Sequence, residues 1–193
     1  MQNIKIVTPQ NYVSMPWRNG LGQTCELLKE NLPDDNEYAW RLSMADVTTD
    51  GEFSNFDGYD RTLLLLVGKG ITLEFEHSKR CDLGRSLQSV QFKGDERTIA
   101  TLHDGPIRDF NVMTLRSHCT AEVYGHNRTD IKKIKLHSDI LLAYAVDDQL
   151  SIQLENTEIV TLPAGHLLHV QNPEQQSVVF NDAKFIAVQI RYY

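Results

Sequence analysis

An all-β sandwich or barrel is the fold class that this sequence predicts, and three observations carry the prediction. Short apolar or alternating runs recur from the first residues to the last, turn residues separate them, and helical periodicity is nearly absent apart from a turn or two near Asn31 and Asp130. Many short strands bounded by glycine, proline, asparagine and aspartate are the pattern of stacked or closed antiparallel sheets. The 193 residues suit one large β domain or two small fused ones and suffice for a substantial core.

A first strand is expected at Ile4 to Val7, and Asn19, Gly20 and Gly22 mark a tight loop before a strand from Gln23 onward. Alternation there puts Thr24, Glu26 and Leu28 on one face. If that face points inward, Glu26 is a partner for an arginine; if outward, it is solvated. After the acidic loop Leu32 to Glu37, the strand Tyr38 to Val47 places Arg41, Ser43, Ala45 and Val47 on one side and Trp40, Leu42, Met44 and Asp46 on the other. Thr48 to Asp60 reads as a wall-like loop, with Phe53 and Phe56 as apolar anchors.

Arg61 then stands at the mouth of the unbroken apolar run Leu63 to Val67, which implies burial on both faces. Gly68-Lys69-Gly70 reads as a hairpin into the alternating strand Ile71 to Phe75, not as a nucleotide loop, since no helix signal follows. Gln91 to Asp95 reads as a turn and Ile99 to His103 as a strand. In Arg108 to Arg116, alternation puts Asp109, Asn111, Met113 and Leu115 on one face; Asp109 and Asn111 either line a cavity or cap a strand end.

From about Leu136 the pattern begins again. Ala143 to Leu154 lines up with Leu64 to Phe75, and Pro163-Ala164-Gly165-His166 falls where Phe92-Lys93-Gly94-Asp95 fell. Val178 to Phe180 and Phe185 to Ile190 read as a closing pair of strands around Asn181-Asp182.

Composition excludes several classes. A net charge of -7, a pI near 5.4 and no basic block argue against nucleic acid as a partner. The longest wholly apolar run is far too short for a membrane span, and the amino terminus lacks a signal-peptide pattern, so a cytoplasmic protein is expected. Cys25, Cys81 and Cys119 are scattered and odd in number, which indicates neither a disulfide framework nor a zinc knuckle.

Two arginines beside a β core, Arg41 and Arg61, suggest an anion pocket; pairing of each with a nearby carboxylate is the structural alternative. Taken in order, Pro16-Trp17-Arg18-Asn19-Gly20-x-Gly22-x-Thr24-x-Glu26, Trp40-Arg41-x-Ser43-x-Ala45, Gly51-x-Phe53-Ser54-x-Phe56-x-Gly58-x-Asp60-Arg61 and Arg108 to Met113 resemble the HutD/Ves family. The resemblance is specific up to about Arg116. It implies a bicupin: two jelly-roll halves in one chain, 1–120 carrying the polar pocket and 121–193 forming a shorter half completed by strands from the first, together one compact unit.

The resemblance also implies non-enzymatic binding of a small carboxylated or formylated metabolite, such as formylglutamate or formiminoglutamate, in a governing role in bacterial histidine utilisation. The expected ligand-binding residues are Trp17, Asn19, Thr24, Glu26, Trp40, Arg41, Ser43, Arg61, Asn111 and Met113. Arg41 and Arg61 hold the anion; Thr24, Ser43 and Asn111 add neutral hydrogen bonds; Trp17, Trp40 and Met113 form apolar walls; Glu26 orients an arginine. The alternative is a metal-independent isomerase or hydrolase with Glu26 as base. A scaffold whose polar ring only stabilises the fold is a third reading.

No catalytic residue, metal or cofactor is assigned. The chain has no His-x-His pair, and His166 and His169, three apart in a strand, face opposite ways and do not converge on one ion. A small anion is the expected partner of a monomer or homodimer.

Overall fold

The computed structural model describes residues 3–17, 22–33, 37–77, 80–128, 131–154, 158–173 and 177–193. Strand β1 (Asn3–Val7) is followed by a short 3-10 turn over Pro9–Asn11. Next come β2 (Val13–Pro16), β3 (Gly22–Asn31), β4 (Tyr38–Val47), β5 (Gly51–Glu52), β6 (Tyr59–Val67), β7 (Ile71–Phe75), β8 (Cys81–Leu83), β9 (Ser89–Lys93), β10 (Thr98–Leu102) and β11 (Ile107–Leu115). The chain continues with β12 (Cys119–His126), β13 (Lys132–Lys135), β14 (Ile140–Ala145), β15 (Leu150–Leu154), β16 (Val160–Leu162), β17 (Leu167–Gln171), β18 (Ser177–Phe180) and β19 (Phe185–Tyr192). Among the described residues there is no α-helix, and so none long and apolar enough to cross a membrane.

The chain divides into two compact units, Tyr12–Cys119 and Met1–Asn11 with Thr120–Tyr193. In the first, β2-β3-β4-β11-β6-β9 form a six-stranded sheet and β5-β10-β7-β8 a four-stranded one. Val47, Leu63, Leu65 and Ile107 of the larger sheet meet Ile71, Leu73, Leu83 and Ala100 of the smaller in a shared core. Leu63 to Leu66 are all buried, so β6 is covered on both faces, while Val67 emerges into solvent.

The second unit repeats the two-sheet plan, with β1-β17-β14-β19-β12 against β13-β18-β15-β16. Its core joins Leu141, Ala143, Leu168 and Phe185 from one sheet to Ile152, Leu154, Val178 and Phe180 from the other. Strand β1, although first in the chain, pairs with β17 in this unit.

Several local expectations change. Gly68-Lys69-Gly70 is not a hairpin: β6 pairs with β9 and β11, whereas β7 pairs with β8 and β10, so the glycines turn the chain from one sheet to the other. In the same way β18 and β19 do not pair; they belong to opposite sheets. An apolar run followed by an alternating strand signals two buried strands but does not say whether they share a sheet. Strand β6 begins at Tyr59, which places Arg61 inside the strand and not at its mouth. Strand β9 runs to Lys93, so the turn starts at Gly94. Asn31 ends β3 in extended form, and Asp130 lies outside the described residues.

The sheet-to-sheet corner is sensitive to substitution. Gly70 has φ +136°, and a Cβ there would sit 2.7 Å from the Leu83 carbonyl oxygen and collide with the His103 ring. Gly70→Ala is therefore expected to destabilise the fold by about 2 kcal/mol or more, read as a lower midpoint in thermal denaturation.

Candidate functional site

Three rows of side chains cross the centre of the six-stranded sheet. The registers of β4, β11 and β6 set Arg41, Met113 and Arg61 side by side, then Ser43, Asn111 and Leu63, then Ala45, Asp109 and Leu65. With adjacent strands about 4.8 Å apart, the arginines spring from backbones roughly 10 Å apart, with Met113 between. On β3, Thr24 stands opposite Ala45 and Glu26 opposite Ser43. A register shift between Glu26 and Leu28 breaks the alternation expected there and leaves Leu27 buried.

These rows open into a cavity of about 600 Å³ lined by Trp17, Thr24, Arg41, Ser43, Arg61, Asp109 and Asn111, and walled by the loop carrying Thr49 to Ser54 and Phe56. The loop is anchored: Phe53 N–H donates to the Thr98 carbonyl at 2.9 Å, Phe56 N–H to that of Gly94 at 2.8 Å, and Leu102 N–H to Asp50 Oδ1 at 2.8 Å.

Arg41 is neutralised. Its Nε donates to Glu26 Oε2 at 2.8 Å, and Lys29 approaches Glu26 Oε1 at 3.3 Å. Glu26 thus faces inward and holds an arginine; it is not among the residues lining the cavity. The Arg41 and Glu26 side chains are 13% and 14% exposed, so removing one charge strands the other in a largely dry setting. Glu26→Gln is expected to cost about 1–3 kcal/mol, measurable as a lower urea midpoint.

Arg61 differs. It is 6% exposed and packed among Phe53, Phe56 and Phe92, whose ring centroids lie 5.4, 5.2 and 4.9 Å from its Cζ. Among the described residues its one hydrogen bond, Nη1 to the Ser54 carbonyl, is long at 3.4 Å, and its Nε has no partner. Burial pushes its pKa down to about 10, with Asp109 opposing, so it stays protonated under physiological conditions. Asp109 is buried too, with Oδ1 unpartnered among the described residues. Burial pushes its carboxyl up to about 7, against the pull of Arg61. Asn111 Oδ1 is likewise buried without a partner among the described residues.

Of the other expected site residues, Trp17 lines the cavity and donates its Nε1–H to Thr24 Oγ1 at 2.9 Å, leaving the threonine proton free to donate. Trp40 does not line it. Alternation along β4 turns the indole to the opposite face from Arg41, where it is 1% exposed. Met113 is on the arginine side but sealed below the cavity by Tyr38, Phe56, Tyr59 and Leu115, with its sulfur accepting the Tyr38 hydroxyl at 3.6 Å. Asn19 lies outside the described residues.

Asp109, Phe53 and Phe56 were absent from the expected set. Their signals were present: Asp109 shares a face with Asn111, and the two phenylalanines anchor the wall loop. Phe92, by contrast, reaches Arg61 through the register of β6 with β9, which no local pattern encodes. Among the described residues, no group of three or more His, Cys, Asp or Glu side chains is placed to hold a metal ion.

Two facing antiparallel sheets around a polar cavity with one buried and one half-buried arginine define a cupin-like all-β protein with a pocket in the small-molecule range of about 300–1,000 Å³. The chain belongs to the HutD family, which it matches over residues 9–188. It superimposes on PA5104 from Pseudomonas aeruginosa PAO1, a conserved protein of unknown function, with a TM-score of 0.88 at 30% identity, covering 98% of this chain and 99% of that one. HutD from Pseudomonas fluorescens SBW25, solved in a formate condition, gives 0.86 at 26% identity over 99% and 100%. Protein Ves from Escherichia fergusonii is 39% identical over 114 residues, 58% of this chain and 59% of that protein.

Proposed function

We propose that the cavity of Tyr12–Cys119 binds a small carboxylated or formylated metabolite without turning it over, in a role tied to histidine utilisation. The observation that carries this reading is Arg61: a buried guanidinium with a single long hydrogen bond and no contacting carboxylate among the described residues. A buried charge is tolerated when paired and hydrogen-bonded, so the free donors of Arg61 ask for an anion from outside the chain. Membership in the HutD family supports the link to histidine utilisation, and the formate condition of the Pseudomonas fluorescens HutD structure makes formate a natural probe.

In this reading the two units are the jelly-roll halves of a bicupin, and the ligand sits in the first. Arg61 holds the anion; Arg41, fixed by Glu26, adds guanidinium donors but no net charge; Thr24, Ser43 and Asn111 supply neutral hydrogen bonds and Trp17 an apolar wall. Calorimetric titration with formate, formylglutamate and formiminoglutamate tests it. Saturable heat with at least one is expected, and silence with all three removes the reading.

A metal-independent isomerase or hydrolase has one feature in its favour, the buried Asp109 carboxyl lining the cavity, which burial pushes up to about 7. Glu26 does not fit the role of base, since Arg41 and Lys29 already hold it. Conversion of a carboxylated metabolite that is lost in Asp109→Asn would favour the enzyme over the binding protein.

A further inference from the structure

We propose that the cavity takes up its anion together with a proton held by Asp109, because a bound carboxylate and an ionised Asp109 are alternative ways of neutralising Arg61. The proposal rests on the reading of Arg61 as the anion site and adds a residue and a linkage to it.

Among the described residues, the charges around the cavity reduce to these two groups. Arg41 is matched by Glu26 at 2.8 Å. Glu52, on the wall, is held by Arg97 through two hydrogen bonds of 3.1 Å. Asp50 is engaged by the Leu102 amide. Asp46 lies on the reverse face of β4 in a two-point pair with Arg108 at 2.6 and 2.8 Å, although its charge still pushes Asp109 up. Tyr38, the other titratable group in the field of Arg61, is pushed up by burial and stays neutral. Among the described residues, what remains is one cation, Arg61, and one carboxyl, Asp109, both more than nine-tenths buried and both lining the cavity.

With Asp109 protonated, the cavity carries one uncompensated positive charge and an incoming carboxylate neutralises it. With Asp109 ionised, the same carboxylate brings a second negative charge into a water-poor space, where like charges repel strongly. Anion and proton therefore enter as a pair. Burial holds the Asp109 proton up to about pH 7 in the empty cavity, so above that pH each anion bound takes up one proton from solution.

Formate is a clean probe because a simple carboxylate stays ionised well above pH 5. The expected result is a Kd that is nearly flat from pH 5 to 6.5 and weakens toward tenfold per pH unit above about pH 7.5. Calorimetry at pH 8.5 in two buffers of different ionisation enthalpy should report about one proton taken up per formate bound. In Asp109→Asn both the slope and the proton uptake disappear. Wild-type binding with a flat Kd and no proton uptake overturns the linkage and leaves the anion site standing. A slope retained in Asp109→Asn assigns the proton to another group and also overturns it. No formate binding at any pH removes the anion site and the linkage with it.

Discussion

Arg61→Met is expected to abolish formate binding while leaving the protein about as stable as before. The side chain is 6% exposed and ringed by three phenylalanines, a setting that suits a thioether at least as well as a guanidinium. Burial already pushes the Arg61 pKa down to about 10, so the charged form is less favourable in the fold than in the unfolded chain. Replacing buried charged groups by apolar side chains of similar volume ranges from neutral to stabilising by about 1–4 kcal/mol. Loss of the cation–π contacts offsets this, at about 0.5–2 kcal/mol for each ring well placed over the cation. With three rings against the cation the two effects are of similar size, so little net change in stability is expected at pH 6, where Asp109 is mostly protonated. Thermal denaturation and formate titration of one preparation read both effects. A residue that adds nothing to stability is kept for what it binds; a scaffold role would show a clear fall in the midpoint with no binding to lose.

The cavity-facing sides of β4 and β11 were legible because period-two alternation holds there: Arg41, Ser43, Asp109 and Asn111 all project into the cavity. The same rule applied to Trp40 argued against its place in the pocket, since it alternates with Arg41. Along β3 the rule breaks at Leu27, where a bulge carries no local sign in the sequence. Which strands share a sheet was not legible either. Gly68 and Gly70 mark a reversal, but their positive φ values serve a corner between sheets as well as they would a hairpin. The compensation of Arg41 and the isolation of Arg61 are also tertiary facts. Each arginine faces a carboxyl on a neighbouring strand, and only the register shows that Glu26 reaches its partner in contact while Asp109 does not.

Asp109→Asn is expected to raise stability above neutral pH and to lower it by about 1 kcal/mol at pH 4, where the amide cost stands almost alone. In the folded chain burial holds the proton on the carboxyl up to about pH 7, whereas in the unfolded chain it leaves near the ordinary aspartate value of 3.8. Between those values the folded state binds more protons, so rising pH favours unfolding; the penalty grows from about pH 4 and is complete above about pH 7. The full difference corresponds to about 4 kcal/mol for a wholly buried group. Asparagine is close in shape and cannot ionise, but its amide adds donors that need partners, which takes back about 1–2 kcal/mol. A net gain of about 2–3 kcal/mol at pH 8 follows, shrinking steadily as the pH is lowered. Urea denaturation of both proteins across pH 4 to 8 isolates the effect, because every other titrating group cancels in the difference. A difference that does not vary with pH would mean that Asp109 is already ionised in the folded protein at pH 4, with Arg61 as its counter-ion, and Arg61 would then have no charge left to offer an anion.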